Sequence, residues 1–373
     1  HLCNNILVTR TVNDNAGIMT FHTAYNYGAV LQAYALQNTL IELGKENEKI
    51  DYKCPTFISD YSTIKVNKGI KPFIKSVLNS LTTVKLKKQY DEFAKHNLIL
   101  SKEKYNTIDE LRKANLKYDM FITGSDQIFD PKCAGFDPSY FLTFVNSEKR
   151  KISYAASFDK MELPDNLIDE YKSRIERFDY LSCREQEGAD ILKSYVNNKI
   201  YVNADPTLLL SSKEWDKIAD EVEFSNYIFV YPVGVSKKII DFAKKIAKKN
   251  NWKVVYLDRN LKWHDPEVTF LQIAGPSQFI GLIRNANMVV TNSFHGAVFS
   301  IIYHKQLYVE FKENGNGNAR VQNLMTLLGV PKHAMERLNP NDDYPNDEDW
   351  DKIDNNILKE RKHAMEYLKN ALE

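Results

Sequence analysis

Apolar positions along the chain alternate between short β-rich runs and stretches with helical spacing, the sign of an α/β protein with parallel sheets. A run at 17–21 leads into a loop around Tyr25, Asn26 and Tyr27, and a helix is predicted over 28–43. In that helix Ala29, Ala33, Leu36, Leu40 and Leu43 share one face, and Gly44 sits where a helix ends. A second strand is predicted near 50–53. Residues 56–116 break the alternation. Ile70, Phe73, Ile74, Val77, Leu78, Leu81 and Val84 form a helical stripe with Pro72 near its start. This segment reads as a mostly helical insertion or cover, not a continuation of the sheet.

The alternation then resumes. Strands are predicted at 120–123, 152–157 and 180–183, with another ending at Val202, and a helix lies at about 164–177. Near Leu210 the pattern restarts, where Ser211 and Glu214 have capping-box spacing. Strands at 227–233, 253–257, 288–291 and 307–311 alternate with helices at about 236–250, 277–286 and 296–304. A Gly/Asn loop at 314–318 precedes a helix over 320–328. The acidic stretch 339–349 reads as a linker and 350–372 as a closing helix. The predicted organisation is an N-terminal α/β unit over 16–208, a C-terminal unit over 209–345 and a closing segment over 346–373. Two such units imply a cleft between them, with chemistry on loops at the carboxyl ends of strands.

Fifty basic side chains face forty-nine acidic ones among 373 residues. That balance argues against a nucleic-acid partner, whose phosphates call for a large basic excess. No run of 18 apolar residues spans a membrane, and residues 1–15 carry no signal-peptide pattern. Cys3, Cys54, Cys133 and Cys183 lie far apart with no CxxC pair, and read as reduced thiols of a cytoplasmic protein. Residues 61–90 hold seven lysines and no acid. Such a stripe can lie on the anionic inner face of a membrane, or be a helix packed on its own domain with a solvated face.

Thr291-Asn292-Ser293-Phe294-His295-Gly296 is the strongest chemical locus. It joins an apolar strand to a helix start, where unpaired N–H groups suit a phosphate or carboxylate. His295 there can donate to an anion or exchange a proton, Ser293 adds a hydroxyl, and Gly296 allows close backbone approach. A histidine hydrogen-bonded in a tight turn is the other reading. Gly124-Ser125-Asp126 also ends a strand: small residues leave room for a ligand, and Asp126 can act catalytically, orienting a sugar hydroxyl or taking its proton, or simply cap a turn. Asn26 opens the first strand–helix junction under the same two readings. Arg184 can grip a carboxylate or phosphate with two donors, or pair with Glu185 or Glu187. Arg320, at a helix start after the Gly/Asn loop, can close over an anion or lie on the surface. No GxGxxG, P-loop or HExxH is present, and no metal site is expected.

The stretch from Asn26-Tyr27-Gly28 to Gln37, then Gly124-Ser125-Asp126-Gln127 and Ser153 to Phe158, occur in order. Ser182-Cys183-Arg184-Glu185, Asp205-Pro206-Thr207-Leu208-Leu209 and Asn292 to Gly296 follow. Together these resemble the polysaccharide pyruvyl transferase family over about residues 16–330. The resemblance implies a GT-B-like fold, two Rossmann-like domains facing across a cleft. It also implies transfer of pyruvyl from phosphoenolpyruvate onto a sugar diol of a capsular, exopolysaccharide or cell-wall glycan, free or lipid-linked, to form a cyclic ketal. No cofactor is implied beyond that donor substrate. The family's strand-end histidine falls on His295 and its Ser-x-Arg-Glu/Asp arginine on Arg184. Some members carry Arg-x-His where this chain has Ser293-Phe294-His295, a departure that Arg320 or Arg284 can compensate. A nucleotide-sugar glycosyltransferase of the same fold and a non-catalytic glycan-binding relative are the alternatives.

Overall fold

A computed structural model describes residues 15–56, 70–114, 116–157, 164–234, 236–258, 264–311, 318–331 and 347–373, with backbone alone for 70–81 and 318. Its N-terminal unit holds β1 (Ala16–Met19), β2 (Asn47–Tyr52), β3 (Leu100–Tyr105), β4 (Met120–Asp126), β5 (Arg150–Ala156), β6 (Leu181–Cys183) and β7 (Ile200–Val202). They form one parallel sheet in the order β3-β2-β1-β4-β5-β6-β7. The second unit holds β8 (Tyr227–Tyr231), β9 (Lys253–Leu257), β10 (Val268–Leu271), β11 (Met288–Thr291) and β12 (Gln306–Val309). Its parallel sheet runs β10-β9-β8-β11-β12. Both orders reverse beside their first strand, the Rossmann-like pattern that opens a crevice at the carboxyl edge. Two Rossmann-like units in tandem are the GT-B-like architecture expected.

The helices follow from the pattern. α1 (Tyr27–Glu42) starts where the Asn26 carboxamide accepts from Ala29 N. α2 (Ile70–Asn97) covers the sheet end, and α3 (Ile108–Lys113), α4 (Ile168–Ile175) and α5 (Gln186–Lys193) complete the first unit. The Ser211–Glu214 capping box opens α6 (Ser212–Asp216). α7 (Lys237–Asn250), α8 (Pro276–Arg284), α9 (Phe294–Ile302) and α10 (Asn318–Leu328) belong to the second unit, and α11 (Trp350–Leu372) closes the chain.

Residues 56–116 are not helical cover alone, because β3 extends the sheet from within them. Lys102, Glu103 and Lys104 in β3 are exposed and only Ser101 and Tyr105 are buried, so this edge strand lacks the apolar run that announces the inner ones. β10, also at an edge, carries no prediction although three of its four residues are apolar. Val84 is 53% exposed, and α2 instead buries Leu86, Tyr90 and Phe93. The other side chains of that stripe, most of the basic stretch 61–90, the loop at 314–317 and the linker up to 346 lie outside the described residues.

The units share a core. Tyr27 and Leu31 of α1 and Tyr90 and Phe93 of α2 join Phe279 and Ile283 of α8 in one apolar cluster. The Tyr27 ring stacks on Phe279 at 4.3 Å, and its hydroxyl donates to Ala274 O at 2.8 Å. α11 ties both units: Ile353 and Ile357 join that shared core, while Tyr367 and Leu368 pack on the first sheet against Ile18 and Ile122. No helix among the described residues is long and apolar enough to cross a membrane.

Candidate active site

Three strand ends of the first unit converge on one guanidinium. Arg184, directly after β6, donates from Nε to Glu185 at 2.8 Å, from Nη1 to Asp205 Oδ2 at 2.7 Å and from Nη2 to Ser157 Oγ at 2.8 Å. Asp205 follows β7 and Ser157 follows β5. The side chains of Arg184 and Asp205 are 3% and 0% exposed, so the pair is buried. Asp205 Oδ1 also accepts from Thr207 N and Oγ1, at 3.0 and 2.6 Å. Burial alone would raise the Asp205 carboxyl, but His295 and Arg184 together hold it below the carboxylate range. Burial likewise opposes the Arg184 charge, and Glu185, Asp205 and Asp126 overcome it.

The second unit completes the cluster from above. Ser293 caps α9, its hydroxyl accepting from Gly296 N at 3.2 Å, which sets Phe294 and His295 in the first turn. The Phe294 ring lies 4.3 Å from the Arg184 guanidinium carbon, a cation–π contact across the junction. His295 Nε2 lies 3.4 Å from Asp205 Oδ2, within ion-pair range but without hydrogen-bond geometry. Its side chain is 12% exposed, more than those of Arg184 and Asp205, while Nε2 itself is buried. The ring rests on Gly28 in the first turn of α1, where a Cβ would stand 1.9 Å from His295 Nδ1. Gly28→Ala is therefore expected to push the imidazole off Asp205 and cost at least about tenfold in turnover, on the scale of a displaced reacting group. Steady-state kinetics with unfolding midpoints checks this, and unchanged turnover would show that the ring has slack.

Other expected residues serve the scaffold more than the cleft. Gly124 is small because β4 and β5 come close: a Cβ there would meet Tyr154 O at 2.1 Å. Ser125 is fully buried, its N–H donating to Gln32 Oε1 and its hydroxyl to Ala155 O. These two do not leave room for a ligand. Gly296 is buried against the Thr291 hydroxyl, so its close approach is to the protein itself. Asp126 is half-buried, its Oδ1 accepting from Gln127 N. Asn26 acts as the α1 cap. Arg184 makes the Glu185 pair left open by the sequence, whereas Glu187 accepts from Asn323 of α10. Arg320 shares the face of α10 that carries Asn323, and its Nε is buried without a hydrogen-bond partner. Arg284 is tied to Asp216 and Glu221, away from His295. Asp205 and Ser157 carry no assigned role in the sequence. A strand-end aspartate before Pro206 was the one visible signal.

Residues 26–309 match the family model for polysaccharide pyruvyl transferase. The chain belongs to this family. For a polysaccharide pyruvyl transferase family member, the matched span runs from the α1 cap to the end of β12 and contains the whole His295–Asp205–Arg184 cluster. No curated protein matches the chain. Among solved structures, UDP-GlcNAc 2-epimerase of Methanocaldococcus jannaschii is similar at 12% identity and TM-score 0.46, over 92% of this chain and 91% of that one. Arabidopsis thaliana UGT89C1, complexed with quercetin, is similar at 9% identity and TM-score 0.47, over 97% and 95%. The glycosyltransferase SnogD from Streptomyces nogalater is similar at 12% identity and TM-score 0.42, over 97% and 98%.

Proposed function

We propose that this family member transfers pyruvyl from phosphoenolpyruvate to two hydroxyls of one glycan sugar, releasing inorganic phosphate and leaving a cyclic ketal. The observation that carries the reading is His295, a partly exposed imidazole with an unpartnered Nε2 beside a buried Asp205–Arg184 pair at the junction of the two units. In this reaction a proton goes to the methylene carbon of the donor, and one hydroxyl adds to the adjacent carbon and gives up its own proton. The second hydroxyl then displaces phosphate and gives up its proton. A histidine suits both transfers near neutral pH. Asp205 does not touch substrate in this scheme. It positions His295 and stabilises the imidazolium.

The donor carries a carboxylate and a phosphate close together. Two of the five N–H groups of the Arg184 guanidinium have no partner among the described residues. The first-turn N–H groups of α9 and the Arg320 guanidinium supply further donors. Asp126, whose charge acts on Arg184, would orient an acceptor hydroxyl in this scheme.

Calorimetry tests the donor. Phosphoenolpyruvate is expected to bind, and Arg320→Gln to weaken it by about tenfold, the value of one lost charge-assisted contact. Tight binding of a nucleotide sugar with phosphoenolpyruvate silent would assign a glycosyltransferase instead. A chain that binds neither, yet binds glycan, would be a non-catalytic relative.

A further inference from the structure

The carboxyl edge of the first sheet carries a second feature, away from His295. A cavity of about 770 Å3 lies over the ends of β1, β2 and β3 beneath α2. That size falls in the range of small-ligand sites, roughly 300–1,000 Å3. Tyr25 lines it, and Gly28, which supports the His295 ring, is three residues further on. One turn of chain therefore separates the cavity from the candidate active site.

Its charge is lopsided. Lys53, Lys87, Lys95 and Lys104 line it against Asp51 and Asp91. Asp51 is already engaged, 3.8 Å from Lys104 Nζ and 3.6 Å from His22 Nε2. Lys53, Lys87 and Lys95 make no ion pair among the described residues. Lys87 reaches instead over the Tyr25 ring, at 5.4 Å. His22 is 3% exposed, and its Nε2, facing Asp51, has no hydrogen-bond partner. A buried polar atom without a partner is costly, and a ligand hydroxyl in the cavity would satisfy it. Tyr25 and Tyr90, packed edge to face at 5.7 Å, add aromatic wall.

We infer that this cavity is a subsite for an acidic sugar, whose phosphate or carboxylate the lysines hold while His22 and Asp51 take ring hydroxyls. The inference rests on the reading that the acceptor is a glycan, and adds that this glycan is anionic next to the reacting sugar. Unpaired lysines are point charges on flexible stems, suited to oxyanions in varied poses. A neutral sugar would leave them unmatched.

The test is calorimetry on the full chain at low salt without phosphoenolpyruvate, using α-D-glucose 1-phosphate, glucuronate, glucose and inorganic phosphate. At least one acidic sugar is expected to bind more tightly than either glucose or phosphate, and which one does so separates a phosphate from a carboxylate ligand. The Lys53→Gln, Lys104→Gln double variant removes two exposed side chains, so folding should hold. It is expected to weaken the acidic sugar by about tenfold or more and to leave phosphoenolpyruvate affinity unchanged. Equal binding of glucose, phosphate as tight as the sugar phosphate, an unaffected double variant, or no binding at all would overturn the subsite. Phosphoenolpyruvate is titrated separately. Its binding with acidic sugars silent removes the subsite and leaves the transfer reading, and the reverse result removes the transfer reading alone.

Discussion

Replacing His295 with alanine is expected to lower pyruvyl transfer by about 10²-fold or more, the scale of a lost acid/base group, while the unfolding midpoint barely moves. The reason lies in what the imidazole does and does not hold. Its Nε2 makes no hydrogen bond, and its contact with Asp205 is 3.4 Å, so folding draws less from it than from the hydrogen-bonded Arg184–Asp205 pair. Asp205 keeps its Arg184 and Thr207 partners when the ring is gone. Around it, Arg184 and Asp205 are buried and committed to each other, leaving His295 as the least buried member of that trio. A turnover assay following phosphate release, with thermal unfolding of both proteins, decides the matter. Near-normal turnover would remove His295 from the chemistry, and a large loss of stability would make it a structural residue.

Asp205→Ala is expected to show the opposite balance, destabilising the fold by about 3–5 kcal/mol, the cost of breaking a buried ion pair from one side. Arg184 would remain buried with Glu185 as its one carboxylate partner at hydrogen-bond distance, and the Thr207 N–H and hydroxyl would lose their acceptor. Urea unfolding measures the loss, and a change below about 1 kcal/mol would mean that neighbouring groups or water take over. The pH dependence has a defined sign. The Asp205 carboxyl is held below its ordinary value in the folded protein, so the unfolded chain takes up its proton first as pH falls. Its stabilising contribution is complete above the unfolded carboxylate value, about pH 4, and is lost as pH falls further toward the folded value. Wild type should lose this part of its stability on acidification, and Asp205→Ala should not.

Element type and order were legible in the chain. The strands Lys253–Leu257 and Met288–Thr291 coincide with their apolar runs, and the α6 start coincides with Ser211 and Glu214. Each depends on neighbours within a few positions, where backbone periodicity and capping act. His295 was legible for the same reason, as a histidine between a buried strand and a helix start. The edge strand β3 was not, because its exposed Lys102-Glu103-Lys104 run carries no apolar signal, and the edge strand β10 carries no prediction although three of its four residues are apolar.

Two α/β units, their helices, most of their strands, and a histidine and an arginine at strand ends can be read from the chain alone. Tertiary structure decided what those side chains do. Ser157, Arg184, Asp205 and His295 meet across 138 positions of chain, because the carboxyl edges of both sheets turn toward one junction. That meeting commits Arg184 to Asp205 and sets His295 on Gly28, while the pairing of β4 with β5 puts Gly124 against Tyr154 in place of a ligand. Burial and ion pairing depend on which distant segments fold together, and no local pattern of residues encodes that distance.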